Sequence, residues 1–401
     1  MSLRPMSVDI DPFQAITDTL SQSGVPAALA QLVTELRRSQ SYHELFDARL
    51  MEARHRLGLP LMLSSSIDDL PVEVRDPLEA AYLDACREVG HLLLGDGRIR
   101  EAWMYLRPVG DKQAVAAALR KVEPSDDQVE SLIEIALHEG VDPELGYQLV
   151  LERYGTCNAI SLFDAAAGRL PAVQRAALVE QLVRHLHREL IANVSADIAR
   201  RGVGGAVSTE SPSTIAELIA GCDSLFADDN YHIDTSHLSA VVRNARLVTD
   251  KQVLALALDL CEYGRHLSKT YQYPSEAPFE DLYPQSAQFF AAQLGQNVDE
   301  ALKYFAQRAA ETDPLHSGTG PAETYVLLLA RLQRWPEAID ASVRFLPPGT
   351  PAAGLAPSLL ELSRNAGDYR AVVEQSRAQG NLLTFAAGVL ETERLASGAR
   401  E

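Results

Sequence analysis

Leu238, Val241, Val242 and Ala245 stand three and four residues apart, and Leu178 and Leu182 stand four apart. That spacing places side chains on one face of an α-helix. Apolar runs of this period recur along most of the chain, strict apolar/polar alternation over strand length is absent, and β-branched residues are scattered. The pattern predicts an all-α protein without a central sheet. Helix starts are marked by capping residues: Ser125 with Gln128, Thr214 with Glu217 and Thr249 with Gln252 have capping-box spacing. Asp142-Pro143 supplies a cap and a first-turn proline for a helix expected to end at Gly155.

Three breaks organise the chain. Gly202 to Pro212 is rich in Gly, Ser and Pro and reads as a loop between helices, or more sharply as a lid over a site. Tyr271 to Pro284 carries too many aromatics and prolines for a loose linker and is expected to pack as an ordered connection. His316 to Pro321 reads as a plain solvated loop. The resulting expectation is N-terminal helical hairpins over 1–124, a central helical region over 125–315 that holds the candidate site, and a C-terminal unit over 316–401.

The C-terminal unit contains AETYVLLLARLQRWPEAIDASVRFLP followed by APSLLELSRNAGDYRAVVEQS. Setting Trp335-Pro336-Glu337-Ala338-Ile339 against Tyr369-Arg370-Ala371-Val372-Val373 gives an offset of 34 residues, with Ser342 on Ser376. This resembles the tetratricopeptide repeat (TPR), a helix-turn-helix unit of that period. Gly97-Arg98-Ile99-Arg100-Glu101-Ala102-Trp103 looks like the same turn. The resemblance covers 322–390, loosely also 80–119, and it implies a right-handed stack of antiparallel helix pairs, a TPR-like α-solenoid with a concave face suited to binding. The stretch from Ser125 to Gln307 lacks the 34-residue period, so the expected architecture carries an irregular central helical region.

Charge and cysteine content narrow the partners. The 401 residues include 36 basic and 55 acidic ones, a formal net charge of −19, which disfavours nucleic acid or an anionic membrane surface as the main partner. Four widely spaced cysteines (Cys86, Cys157, Cys222, Cys261) contain no CxxC pair and indicate neither a zinc ribbon nor a disulfide framework. The N-terminus lacks an apolar signal-type core, and the chain reads as cytoplasmic.

Chemistry-bearing residues gather in the middle. Tyr231-His232-Ile233-Asp234-Thr235-Ser236-His237 precedes an apolar helix, with Thr235 or Ser236 as the expected cap. Glu262 and His266 lie four apart on one helix face, as do His185 and Glu189. Imidazole and carboxylate are ligands for Zn²⁺, Mn²⁺ and Fe²⁺. His232, His237, Glu262, His266 and His185 are therefore the candidate metal ligands, with Asp234 and Glu189 as proton carriers. Tyr231, Arg243, Arg265 and Tyr271 are candidates for binding a small polar substrate. His138 beside Glu139, with Glu134 one turn back, and Cys157 after a helix end, are lesser candidates. No GxxxxGK[ST], GxGxxG or GxSxG motif is present. The favoured expectation is a metal-dependent hydrolase or isomerase; the alternative is a TPR-like scaffold that binds a peptide or partner protein in its groove.

Overall fold

A computed structural model describes residues 11–62, 70–202, 214–346 and 354–398. Val203 to Pro212, read above as loop or lid, lie outside these. The chain is all-α, and no strand occurs among the described residues. It opens with α1 (Pro12–Arg38), α2 (Tyr42–Arg56), α3 (Val72–Gly95), α4 (Ile99–Val109), α5 (Lys112–Leu119) and α6 (Val129–Ile133). Next come α7 (Pro143–Ala166), the long α8 (Ala172–Arg201), α9 (Ile215–Ile219), α10 (Thr235–Asn244) and α11 (Lys251–His266). The rest is α12 (Leu282–Gln293), α13 (Val298–Glu311), α14 (Pro314–Ser317), α15 (Gly320–Arg331), α16 (Trp335–Phe345), α17 (Leu359–Ala366), α18 (Arg370–Ala378) and α19 (Leu382–Gly398). No described helix is long and apolar enough to cross a membrane.

Two compact units divide the chain, Met1–Leu149 and Val150–Glu401. In the first, α1 packs on α2, α2 on α3, α3 on α4 and α4 on α5, around buried Val33, Leu45, Val89, Leu93 and Ala102. In the second, α8 is a spine against which α9, α10 and α11 pack; from α11 onward, apart from the short α14, each helix again rests on its successor.

One turn recurs at the hairpins. Past a helix end, a residue with positive φ is followed by one whose N–H reaches back five residues, which satisfies a terminal carbonyl in the Schellman manner. Ser41 donates to the Leu36 carbonyl at 3.0 Å, Arg98 to Leu93 at 2.9 Å, Arg334 to Leu329 at 2.9 Å, Asp368 to Ser363 at 3.1 Å and Asn381 to Ser376 at 2.9 Å. The preceding residues are Gln40, Gly97, Gln333, Gly367 and Gly380, with φ between 57° and 74°. Gln333 and Gly367 lie 34 residues apart, the offset seen in the sequence. At Gln40 and Gln333 a Cβ residue adopts a conformation that glycine takes without steric cost.

Glycine is needed for another reason where helices approach closely. A Cβ on Gly264 of α11 would stand 2.3 Å from the Tyr283 ring of α12, and one on Gly90 of α3 would stand 2.5 Å from Leu106 of α4. Tyr283 is 1% exposed, so its ring has nowhere to retreat.

Some caps differ from the sequence reading, and the reason is shared. Thr214 and Glu217 form the expected capping box. At α11, however, Asp250 rather than Thr249 receives the Val253 N–H. At α10 Asp234 itself is the cap, receiving Ser236 and His237 N–H at 2.8 and 3.3 Å. A carboxylate beats a neighbouring hydroxyl at a helix N-terminus because it is charged as well as an acceptor. α6 has Gln128 at its N-terminal boundary, without a side-chain cap, three residues past the Ser125 read as its cap. Gly155, at φ 78° and ψ 178°, interrupts α7 where a helix end was expected.

Two substitutions of opposite sign test this. Gly264→Ala should destabilise the chain by about 2 kcal/mol through overpacking against Tyr283. Gln333→Gly should stabilise it by up to about 1 kcal/mol, since relief of left-handed strain exceeds glycine's extra unfolded-state freedom. Urea midpoints of both variants against the parent chain are the measurement.

Candidate functional site

His187 and His232, in the central region, are engaged by the protein itself. The His232 side chain is buried at the foot of α10. Its Nε2 lies 3.1 Å from Asp197 Oδ2 on α8, and its Nδ1 lies 3.0 Å from the Tyr263 hydroxyl on α11. That hydroxyl accepts the His232 backbone N–H at 2.8 Å, so its own proton points to Nδ1 and the imidazole donates through Nε2–H to Asp197. Both ring nitrogens are thereby used. Asn193 of α8 holds the His232 carbonyl at 2.8 Å.

Asp197 is the centre of this network. It also receives Arg201 at 2.7 Å and Arg200. Burial pushes its carboxyl pKa up, but the hydrogen bonds from Arg201, His232 and Arg200 outweigh that and hold it at about 2. Burial likewise pushes the Tyr263 hydroxyl up, so it stays protonated and able to donate.

A second buried pair lies farther along α8. His187 Nε2 is 2.7 Å from Asp259 Oδ2 on α11. Asp259 in turn accepts the first N–H groups of α9, from Ile215 at 2.7 Å and Ala216 at 3.1 Å. One carboxylate thus caps α9 and pins it to α8.

The remaining sequence candidates are dispersed. His266 is exposed; its Nδ1 contacts the Glu262 carbonyl at 2.9 Å, and its ring stacks on Phe226 at 5.3 Å. Glu262 pairs with Arg265 at 3.0 Å. His185 lies 3.5 Å from Glu189, whose other oxygen meets Thr156. His237 is tied through its backbone to Asp234, and Asp234 is occupied as the α10 cap. Tyr231 packs edge-on against Tyr271, with centroids 5.0 Å apart. Among the described residues no group of three or more His, Cys, Asp or Glu is placed to hold a metal ion. Within the described residues these side chains face different neighbours. His138 is exposed at the end of a short π-helical turn, and Cys157 is exposed on α7.

Arg243, the fourth substrate-binding candidate, lies elsewhere, on the wall of a cleft of about 880 Å³. Its walls are Arg243 and Arg246 at the end of α10, the segment Pro274 to Pro278, Gly318 to Thr324 at the start of α15, and Leu355. The loop 316–321, expected to be plainly solvated, is therefore a cleft wall, and Thr319 is 4% exposed. Tyr304 donates to the Pro278 carbonyl at 3.0 Å, and Arg308 pairs with Glu280, which ties the 274–280 segment to α13. On the opposite side the buried Glu323 of α15 receives Thr319, the Leu355 N–H at 2.7 Å and the Ala356 N–H at 3.3 Å.

Arg246 is the unusual member. Its guanidinium carbon sits 3.4 Å from the Phe279 ring centroid, a cation–π arrangement, and Phe279 packs against Phe289 and Phe305. Its Nε and Nη2 are closed off from solvent without a hydrogen-bond partner. Burial, and then repulsion from Arg243, lower its pKa to about 9. The sequence singled out Arg243 but missed Arg246, Asp197 and Asp259. The two aspartates were detectable as charges at apolar-stripe positions of α8 and α11.

Comparison with models of protein families, with curated proteins and with solved structures gave no match to this chain.

Asp197 carries a pH signature. Its folded pKa lies below that of an unfolded aspartate near 4, so its contribution is fully present above about pH 4 and is lost as pH falls towards 2. Asp197→Asn should cost about 3 kcal/mol at neutral pH, since it strips the anion from buried His232 and the arginines, and this difference should shrink steadily below pH 4. Urea midpoints of both proteins from pH 6 to pH 2 measure it.

Proposed function

We propose that this chain is a binding protein whose second unit receives a peptide segment of a partner protein in the cleft between Arg243, Pro274–Pro278 and α15. The carrying observation is the cleft itself. It is lined by backbone-rich proline and glycine segments and by two arginines, while His232, central to the histidine candidates, has both ring nitrogens in internal hydrogen bonds. Peptides are recognised through grooves with a few oriented polar groups among apolar walls, and this lining has that character.

The hairpins α15–α16 and α17–α18 are, in this reading, TPR-like units. Support comes from the 34-residue offset, the turn repeated at Gln333 and Gly367, and the packing of each helix on its successor. Stacks of such pairs serve as binding surfaces more than as catalysts. The metal-enzyme alternative keeps one observable signature, near-stoichiometric Zn, Mn or Fe in the purified chain that depends on His237 and His266.

An array of immobilised random dodecapeptides, probed with the full chain with and without EDTA, tests the proposal. A reproducible set of peptides should bind regardless of EDTA, and Ser275→Trp, which fills the cleft, should weaken them at least tenfold while leaving the thermal midpoint near that of the parent. Binding untouched by Ser275→Trp, or lost on chelation, would overturn the reading.

A further inference from the structure

Arginines in this chain habitually hold carboxylates along one edge. Arg120 grips Asp142 through Nε and Nη2 at 2.5 and 3.2 Å, and Arg49 grips Glu88 through the same two atoms at 2.8 and 3.2 Å. That side-on fork matches the two oxygens of a carboxylate. Arg246 carries the same edge without a partner among the described residues. The neighbouring Arg243 donates to the Ser239 hydroxyl at 3.4 Å. Both line the cleft, and among the described residues neither guanidinium is paired with a carboxylate.

The charge of the lining selects the ligand. Among the described lining residues the acidic one is Glu276, and His316 is engaged by Asp313 at 2.7 Å. Two arginines against one glutamate leave a single positive charge, which a monoanion matches and a doubly charged phosphate exceeds. The N-terminal turn of α15 forms the facing wall at Gly320 and Pro321, and the buried Glu323 in that turn offsets its partial positive charge. The chain's net charge of −19 repels anions at long range, so recognition must come from short-range contacts within the cleft.

Resting on the peptide-binding reading above, we propose that the cleft holds the C-terminal carboxylate of its peptide between Arg243 and Arg246. Because Nε and Nη2 of Arg246 are shut off from solvent as the cleft stands, full engagement requires the guanidinium to turn on Phe279 toward the ligand.

The test uses the full chain and two fluorescein-labelled pools of degenerate octapeptides, identical except for a free or an amidated C-terminus, read by fluorescence anisotropy. The free-acid pool should bind at least about tenfold tighter than the amide, as expected for hydrogen bonds to a charged group. Arg243→Gln and Arg246→Gln should close that gap, and Arg364→Gln, exposed on α17 and outside the cleft, should preserve it. Arg243 is exposed, so its variant keeps the test valid if Arg246→Gln fails to fold. Equal binding of the two pools, or a gap that survives Arg243→Gln, would overturn the carboxylate inference and leave peptide binding standing. Absence of binding by either pool would overturn both. Competition with sodium acetate and sodium phosphate separates the sources: displacement by acetate at concentrations comparable to the peptide would move the site to a small acid, and stronger displacement by phosphate would overturn carboxylate recognition.

Discussion

A carboxylate can be buried in a helical protein only where donors converge on it, and that constraint organises the central helices. Asp197 and Asp259 lie within the packed interior, and each would be costly to desolvate alone. Asp197 draws the foot of α10 to α8 through His232, with Arg200 and Arg201 closing the remaining lone pairs. Asp259 draws α9 onto α8 and α11 by serving as its cap while bonding His187. The relative placement of four helices follows from satisfying two acids. Because Arg243 lies in the last turn of α10, which runs to Asn244 and on into the turn that carries Arg246, the same constraint aims both arginines at the cleft.

The fold class was legible because helical period and capping residues are local properties. The all-α character, the capping box at Thr214 and the interruption at Gly155 need no knowledge of tertiary contacts. Cap positions slipped by one residue where an aspartate stood beside a threonine or serine, since spacing alone does not weigh charge. The site was harder to read, for a geometric reason. His185 and Glu189 caught attention as an i, i+4 pair, yet they lie beside the stripe of α8 that faces its neighbours. His187 and Asp197 occupy that stripe among Leu190 and Val194, and their partners are 72 and 35 residues away. No spacing rule connects residues so far apart. Arg246 was missed because a single arginine at a helix end looks like a solvated residue until Phe279 is seen to cover its face.

The repeated hairpin turn is the counterpart of this irregular centre. It stops a helix, reverses the chain and satisfies the exposed carbonyls by the same backbone bond each time, whatever residue supplies the positive φ. That economy lets Gln333 stand where Gly367 stands one period later, at a modest conformational cost. Local devices thus build the outer helix pairs, whereas the α8 spine depends on long-range polar pairing.

The cleft walls come from stretches near residues 243, 276, 320 and 355, which belong to separate helices and connections of the second unit. Parts of a helical domain that share few contacts can loosen independently. A ligand bridging those walls would act as a rivet, joining the α15–α16 hairpin to the α10–α11 region in one unit of unfolding. Occupancy would then be felt as a gain in cooperativity across the second unit, in regions the ligand never touches.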